Sequence, residues 1–370
     1  MSASLVLLAA GGTSGHMIPA EALASALLAR GYRIGLVTDK RGRGFGDQLP
    51  AVEVHRISAG GLAGGSLVRR AQGILSLSFG FLQARGLIRR LAPRIAVGFG
   101  GYASVPTILA AQRAGIATLL HEQNAVLGRA NRLLAPRARV VATSFVETKE
   151  MGKALARVTG NPVRASIAAL GDCPYPDLKD PLHVLVLGGS QGARIFSHLI
   201  PGAVGLLAPA SRQRLALAQQ CRPEDLDQVR ASYAALDMKV ELAPFFDNMA
   251  EQLGRAHLVI SRSGASTVAE LAASGRPAIL IPYPHATDDH QTANAASFSR
   301  GGAGWLMPEA TATPAQVADR LSSVLAHPAG LSQRAAAARQ AGRRDAALRL
   351  ADLVGEMAPA NGIGPAKVAA

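Results

Sequence analysis

The residues best able to do chemistry in this chain gather around glycine turns. In "LVLLAAGGTSGHMIP", Gly11, Gly12 and Gly15 follow an apolar run from Ser4 to Ala10, and His16 comes directly after them. A glycine turn between strand and helix aims unpaired backbone N–H groups and a partial positive charge at whatever occupies the loop, which favours phosphate or another anion. An imidazole there titrates near neutral pH and can take a proton from a hydroxyl. What His16 does with that proton depends on what occupies the loop. Glu122 closes the apolar run "ATLLHE", with Gln123 and Asn124 next to it at the strand end. A third group lies in "SRSGASTVAELAASG", where a polar turn leads into a helix that opens with Ser/Thr hydroxyls and carries Glu270 one turn in. Such a helix start can hold a nucleoside diphosphate, with Glu270 accepting from ribose hydroxyls.

These residues need strands to carry them. "RIGLVT", "VEVHRI", "RIAVGFG", "ATLLHE" and "ARVVAT" read as strands separated by helical stretches, with Pro19 in a first helical turn and Gly31 at a stop. That alternation gives a parallel sheet covered on both faces. The pattern then restarts at "LHVLVLGGSQGARIFSHLI", where Gly188, Gly189 and Gly192 match Gly11, Gly12 and Gly15. It continues through "RLALAQQ", "KVELAPF", "HLVIS" and "PAILIPYP". The expected fold class is α/β, two Rossmann-like domains facing a cleft. The expected division is 1–161, 162–340, a helix over 341–357 returning to the first domain, and a flexible tail over 358–370, with 331–357 read as helical.

Composition narrows the class. The chain has 370 residues, 49% of them hydrophobic and 17% charged, enough to bury two cores. Cys173 and Cys221 lie far apart and form no metal or disulfide framework, so a reducing compartment is expected. No secretion signal and no membrane-spanning run is visible. The formal net charge of +14 is concentrated in residues 1–161, which hold 20 Lys/Arg against 7 Asp/Glu. A polyanionic partner or an anionic membrane is expected there. Within that half, "AQGILSLSFGFLQA" (71–84) carries no charge and is bounded by Arg69, Arg70, Arg85, Arg89 and Arg90. As a helix it would place Ile74, Leu77 and Phe81 on one face, broadened by Leu75, Phe79 and Leu82, a candidate membrane patch competing with plain core packing.

Other readings of the glycine turns fit less well. A dinucleotide fingerprint would need glycine where Ala10 and Leu187 stand, and neither turn ends in G-K-[S/T]. Asp225-Leu226-Asp227 spells the D-x-D motif of metal-dependent sugar transferases. It follows Pro223 in a helical first turn, where acidic residues complement the dipole, so no metal or other cofactor is expected. At 4% aromatic residues, the basic half shows no nucleic-acid-binding module.

Seven blocks, "GGTSGH", "GFGGYASVP", "HEQNAVLGRANR", "GNPVR", "GGSQGAR", "SRSGASTVAE" and "DDHQTANA", occur in one collinear order over roughly residues 5–355. Together they resemble the MurG family, the bacterial N-acetylglucosaminyltransferases of peptidoglycan synthesis. The resemblance implies a GT-B-type fold with UDP-N-acetylglucosamine held mainly by the C-terminal domain. It also implies a membrane-anchored acceptor, undecaprenyl-diphosphate-linked muramyl pentapeptide, bound through the N-terminal domain, and inversion at the transferred sugar. Donor contacts then fall on Thr13, Ser14, Gly15, Asn124, Arg164, Ser190, Phe246, Ala265, Ser266, Thr267, Glu270 and Gln291. Gly11, Gly12, Gly100, Gly101 and Tyr102 would line the acceptor diphosphate. An inverting displacement needs the acceptor 4-hydroxyl deprotonated, so the resemblance makes His16 a candidate general base, or equally a residue that positions the acceptor or the loop, with Glu122 the reserve candidate. Ser14 stands where the family often has glycine, and His290 where some relatives have glutamine. The implied partners are the donor, the lipid acceptor, an anionic membrane surface and other cell-wall synthesis proteins, with no nucleic acid. The implied location is peripheral, on the cytoplasmic face of the inner membrane. The competing activities are a sugar-nucleotide epimerase on the same donor and, further off, a nicotinamide-dependent oxidoreductase.

Overall fold

The computed structural model describes residues 3–11, 14–39, 51–60, 67–189 and 192–359. Two compact units divide between Val163 and Arg164, inside "GNPVR"; the first also takes in the chain from Asp345, and the second is Arg164–Arg344.

The first unit carries β1 (Leu5–Ala9), β2 (Arg33–Thr38), β3 (Val52–Arg56), β4 (Ile95–Gly98), β5 (Ala117–Glu122), β6 (Val140–Thr143) and β7 (Ala156–Val158). They form one sheet in the order β3-β2-β1-β4-β5-β6-β7, with every neighbouring pair parallel. Alternation along β1 sends Val6 and Leu8 into one core and Leu7 and Ala9 into the other. Val6 and Leu8 share their core with Leu23 and Leu27 of the helix Ser14–Ala29 and with Leu350 and Val354 of the helix Ala346–Met357. The terminal helix is tied there by Arg30 to Asp352 at 2.8 Å and by Tyr32, whose hydroxyl donates to the Ala358 carbonyl at 3.0 Å.

Three local readings are corrected. Pro19 does not open its helix, which already starts at Ser14; a proline five residues in forfeits only the bond to the Gly15 carbonyl. Segment 331–357 is not one helix but Ala329–Ala341 and Ala346–Met357. They part at Gly342, where a Cβ would lie 2.6 Å from the Ala272 carbonyl oxygen. Strand β7 escaped notice because "ARV" is short and fully exposed at the sheet edge. The tail beyond residue 359, Gly12, Thr13 and Ser190 lie outside the described residues.

The second unit carries β8 (Leu182–Leu187), β9 (Leu215–Gln220), β10 (Val240–Ala243), β11 (Leu258–Ser261), β12 (Ala278–Leu280) and β13 (Gly304–Leu306), in the order β10-β9-β8-β11-β12-β13. β13, three residues long with Gly304 pressed against the Ala278 carbonyl, was likewise not read from sequence. Both sheets turn direction beside their first strand, between β1 and β4 and between β8 and β11. Loops leaving the carboxyl ends of such strand pairs diverge and leave a crevice, which is where ligands bind in open α/β sheets. The two glycine turns follow β1 and β8.

Candidate active site

In the first unit, three loops meet at the β1/β4 crevice. The β1 loop brings Gly11 and, in the first turn of the following helix, Gly15 and His16. Ser14 takes helical backbone there, so the residue substituted for the family glycine needs no left-handed conformation. The β4 loop brings Gly100 (φ 81°) and Gly101 (φ 71°), a pair of left-handed residues that bends the chain beside the imidazole, followed by half-buried Tyr102. A Cβ on Gly101 would stand 3.3 Å from His16 Nε2. The β5 loop brings Glu122, Gln123 and Asn124.

Sequence reading paired His16 and Glu122 as alternative bases, and their surroundings separate them. Glu122 is buried, and its Oε1 accepts from the backbone N–H and side-chain amide of Asn124 at 3.0 and 3.2 Å. Its Oε2 accepts from the Gly128 N–H at 2.9 Å and Asn131 Nδ2 at 2.8 Å. Four donors commit the carboxylate to shaping the loop, which corrects its candidacy as base and ties up the Asn124 side chain. His16 is only half-buried, and its Nδ1 lies 3.2 Å from Gln123 Oε1. Behind it Gln123 Nε2 reaches the Phe99 carbonyl at 2.9 Å and His121 Nδ1 at 3.0 Å. His121, fully buried, reaches the Gly160 carbonyl through Nε2 at 3.1 Å; burial pushes its pKa down to about 4. Nothing in the sequence singles out His121 and Asn131 within their motif, because burial is invisible in a lone polar letter.

In the second unit the β8 turn is held by Gln220, which accepts from the Gly188 N–H at 3.0 Å and donates to the Gly189 carbonyl at 3.1 Å and the Pro244 carbonyl at 3.2 Å. Pro244 precedes exposed Phe245 and buried Phe246. The Phe246 ring is thus committed to packing. The β11 loop runs through Ser263 into the helix Ala265–Ser274, whose first turn holds Ser266 and Thr267. The Ser266 Oγ is buried with no hydrogen-bond partner. Gln291 Oε1 accepts from the N–H groups of Ser263 at 3.3 Å and Tyr283 at 3.0 Å, clamping two loops together. Arg262 donates to the Ile281 and Pro282 carbonyls at 3.2 and 3.0 Å and pairs with Glu309, a brace that sequence reading missed along with Gln220. His290 Nδ1 donates to the Thr287 carbonyl at 2.7 Å. Arg164 and Glu270 form an ion pair at 2.9 Å. Burial raises the Glu270 carboxyl above the usual range, and Arg164 pulls part of that shift back.

The D-x-D spelling is split: Asp225 is buried and accepts from Ser197 Oγ at 2.9 Å, whereas exposed Asp227 faces Arg230. Pro223–Asp225 is a 3-10 turn that precedes the helix Leu226–Ala234.

The uncharged stretch lies on the helix Leu67–Leu91. Ile74, Leu75, Phe79 and Leu82 are 57, 69, 57 and 60% exposed. Phe81 instead packs against the core around Leu87 and Ile88, which corrects its place in the patch. Three residues beyond Leu82, Arg85 continues the exposed side. Among the described residues no helix is long and apolar enough to cross a membrane.

Comparison with known proteins decides among the activities that such a fold can house. Residues 6–143 match the glycosyltransferase family 28 N-terminal domain and residues 183–350 its C-terminal domain. The chain is 54% identical over 353 residues, 94% of its length and 91% of the relative's, to the UDP-N-acetylglucosamine–N-acetylmuramyl-(pentapeptide) pyrophosphoryl-undecaprenol N-acetylglucosamine transferase of Rhodospirillum rubrum. The solved structure of Acinetobacter baumannii MurG superposes with a TM-score of 0.78 at 30% identity, covering 95% of this chain and 99% of that one. The chain belongs to the MurG family. A UDP-N-acetylglucosamine 2-epimerase from Neisseria meningitidis also superposes, with a TM-score of 0.67 over 95% of this chain and 99% of its own, but at 11% identity. That likeness is one of fold alone. Membership of the MurG family makes the chain a glycosyltransferase with two GT-B-type domains, and sets aside the epimerase and oxidoreductase readings.

Proposed function

We propose that this enzyme transfers N-acetylglucosamine from UDP-N-acetylglucosamine to the 4-hydroxyl of the muramyl sugar of undecaprenyl-diphosphate-linked muramyl pentapeptide, converting lipid I to lipid II in peptidoglycan synthesis. The observation that carries this reading is the 54% identity over 94% of the chain to a transferase named for that donor and acceptor. The geometry agrees, since each unit has its own crevice lined by a glycine turn.

The acceptor diphosphate sits at the β1 and β4 loops with Gly11, Gly100, Gly101 and Tyr102, and UDP sits at the β8 and β11 loops. His16 takes the proton of the acceptor 4-hydroxyl as its oxygen attacks the anomeric carbon. The bond from that carbon to the UDP oxygen breaks on the opposite face, and UDP departs with the electron pair. The N-terminus of the helix Ala265–Ser274 and Arg164 stabilise the charge that develops, as fixed dipoles and cations can without a metal. Glu270, Ser266, Thr267 and Gln291 hold the donor.

The enzyme works as a peripheral protein on the cytoplasmic face of the inner membrane. Ile74, Leu75, Phe79 and Leu82 enter the interface, and Arg85, Arg89 and Arg90 on the same helix contribute about 1 kcal/mol each against an anionic leaflet. Purified enzyme should release UDP from UDP-N-acetylglucosamine only when a muramyl lipid acceptor is supplied. Release at equal rate without acceptor would overturn the assignment.

A further inference from the structure

The polar side chains behind His16 are joined in one direction. At the far end the Gly160 carbonyl can only accept, so the His121 nitrogen 3.1 Å from it, Nε2, carries a proton. His121 is neutral at physiological pH because burial disfavours its cation, which leaves Nδ1 as an acceptor. Gln123 turns its NH₂ group to that Nδ1 at 3.0 Å and to the Phe99 carbonyl at 2.9 Å. Both neighbours are acceptors, so the amide has one orientation. Its oxygen must then face His16 Nδ1, 3.2 Å away, and an amide oxygen can only accept.

We propose that Gln123, braced by the Phe99 carbonyl and His121, is a positioning residue that fixes the tautomer of His16, holding the proton on Nδ1 and the lone pair on Nε2. A neutral imidazole free in water favours the opposite tautomer, with the proton on Nε2, so the chain of bonds overrides an intrinsic preference. Gly101 suits the same purpose: its missing side chain spares Nε2 the contact at 3.3 Å that a methyl would make. The nitrogen that must accept a proton is thereby kept unprotonated in the resting enzyme. The catalytic consequence rests on the base role proposed for His16, but the tautomer does not.

The test is a two-bond ¹H–¹⁵N correlation spectrum of the full chain carrying ¹⁵N-histidine, recorded at a pH where the rings are neutral. His16 signals are assigned by their loss in His16→Gln. The expected result is a protonated Nδ1 and an unprotonated Nε2; a protonated Nε2 in the unaltered enzyme overturns the proposal, with no variant needed. Gln123→Met removes the acceptor and should move His16 toward the Nε2-protonated form, with kcat lowered about tenfold. A Gln123→Met spectrum identical to the unaltered one, from protein that melts cooperatively, also overturns it. Undiminished kcat in His16→Ala would instead remove the base reading and leave the tautomer assignment standing.

Discussion

Arg164 places two guanidinium nitrogens, Nε at 3.1 Å and an Nη at 2.9 Å, on the same oxygen of Glu270. The pair joins the first residue of the second unit to the helix Ala265–Ser274 and leaves Glu270 Oε2 outside the bond. A ribose hydroxyl can therefore donate to the carboxylate without displacing the arginine.

Glu270→Ala is accordingly expected to weaken UDP binding about tenfold, the loss of one charge-assisted hydrogen bond. Titration calorimetry on the full chain measures it. Unchanged affinity would take Glu270 out of the nucleotide site and leave it a partner of Arg164 alone.

His16→Ala is expected to lower kcat by roughly 10²–10⁴-fold with donor affinity little changed, the size of effect that general-base catalysis supplies. A loss confined to the acceptor KM would make His16 a residue that positions the substrate.

Acid should unfold the protein partly through His121. Its folded-state pKa of about 4 lies below the 6.5 of an ordinary histidine, so between those limits the unfolded chain binds the extra proton. Stability is full above the unfolded value and declines as pH falls through that window, by about 3 kcal/mol for this group. His55, His183 and His257 are also shifted downward and add slope of the same sign. Urea midpoints between pH 7 and pH 4 should thus fall less steeply in His121→Asn than in the unaltered chain; parallel curves would count against this assignment.

Turnover should survive EDTA. Asp225 already bonds Ser197 and Asp227 faces Arg230, so neither belongs to a ready-made ligand set. A strict Mg²⁺ or Mn²⁺ requirement that disappears in Asp225→Ala would show a metal role for the pair.

Replacing Leu75, Phe79 and Leu82 together by serine should reduce binding to anionic vesicles and turnover of the long-chain acceptor, while an acceptor with a truncated lipid is used nearly as well and Tm holds. Phe81→Ser, by contrast, should cost on the order of 1–2 kcal/mol of stability, because that ring packs on the core. Equal losses on both acceptors from the triple variant would move the membrane surface elsewhere.

The longer strands and both glycine turns were legible in the sequence because buried parallel strands are apolar runs and glycine punctuates them. β7 and β13 were not, since three-residue edge strands leave no such run. On the helix Leu67–Leu91, periodicity grouped Phe81 with Ile74, but packing rotates Phe81 inward while Ile74 remains 57% exposed. Glu122 and His16 looked alike as candidate bases. Only geometry shows four donors on the carboxylate and the Gln123 amide oxygen on the imidazole Nδ1. Gln123 and Gln220 matter through what they hold in place, and that depends on chain segments far apart in sequence.

The most direct test of the account is the linkage formed from UDP-N-acetylglucosamine labelled with ¹³C at the anomeric carbon, in the presence of the muramyl lipid acceptor. The expected product carries the labelled sugar β-linked to the muramyl 4-oxygen, inverted from the α-linked donor, and forms only when acceptor is present. An α-linked product, or a labelled sugar altered without being transferred, would contradict it.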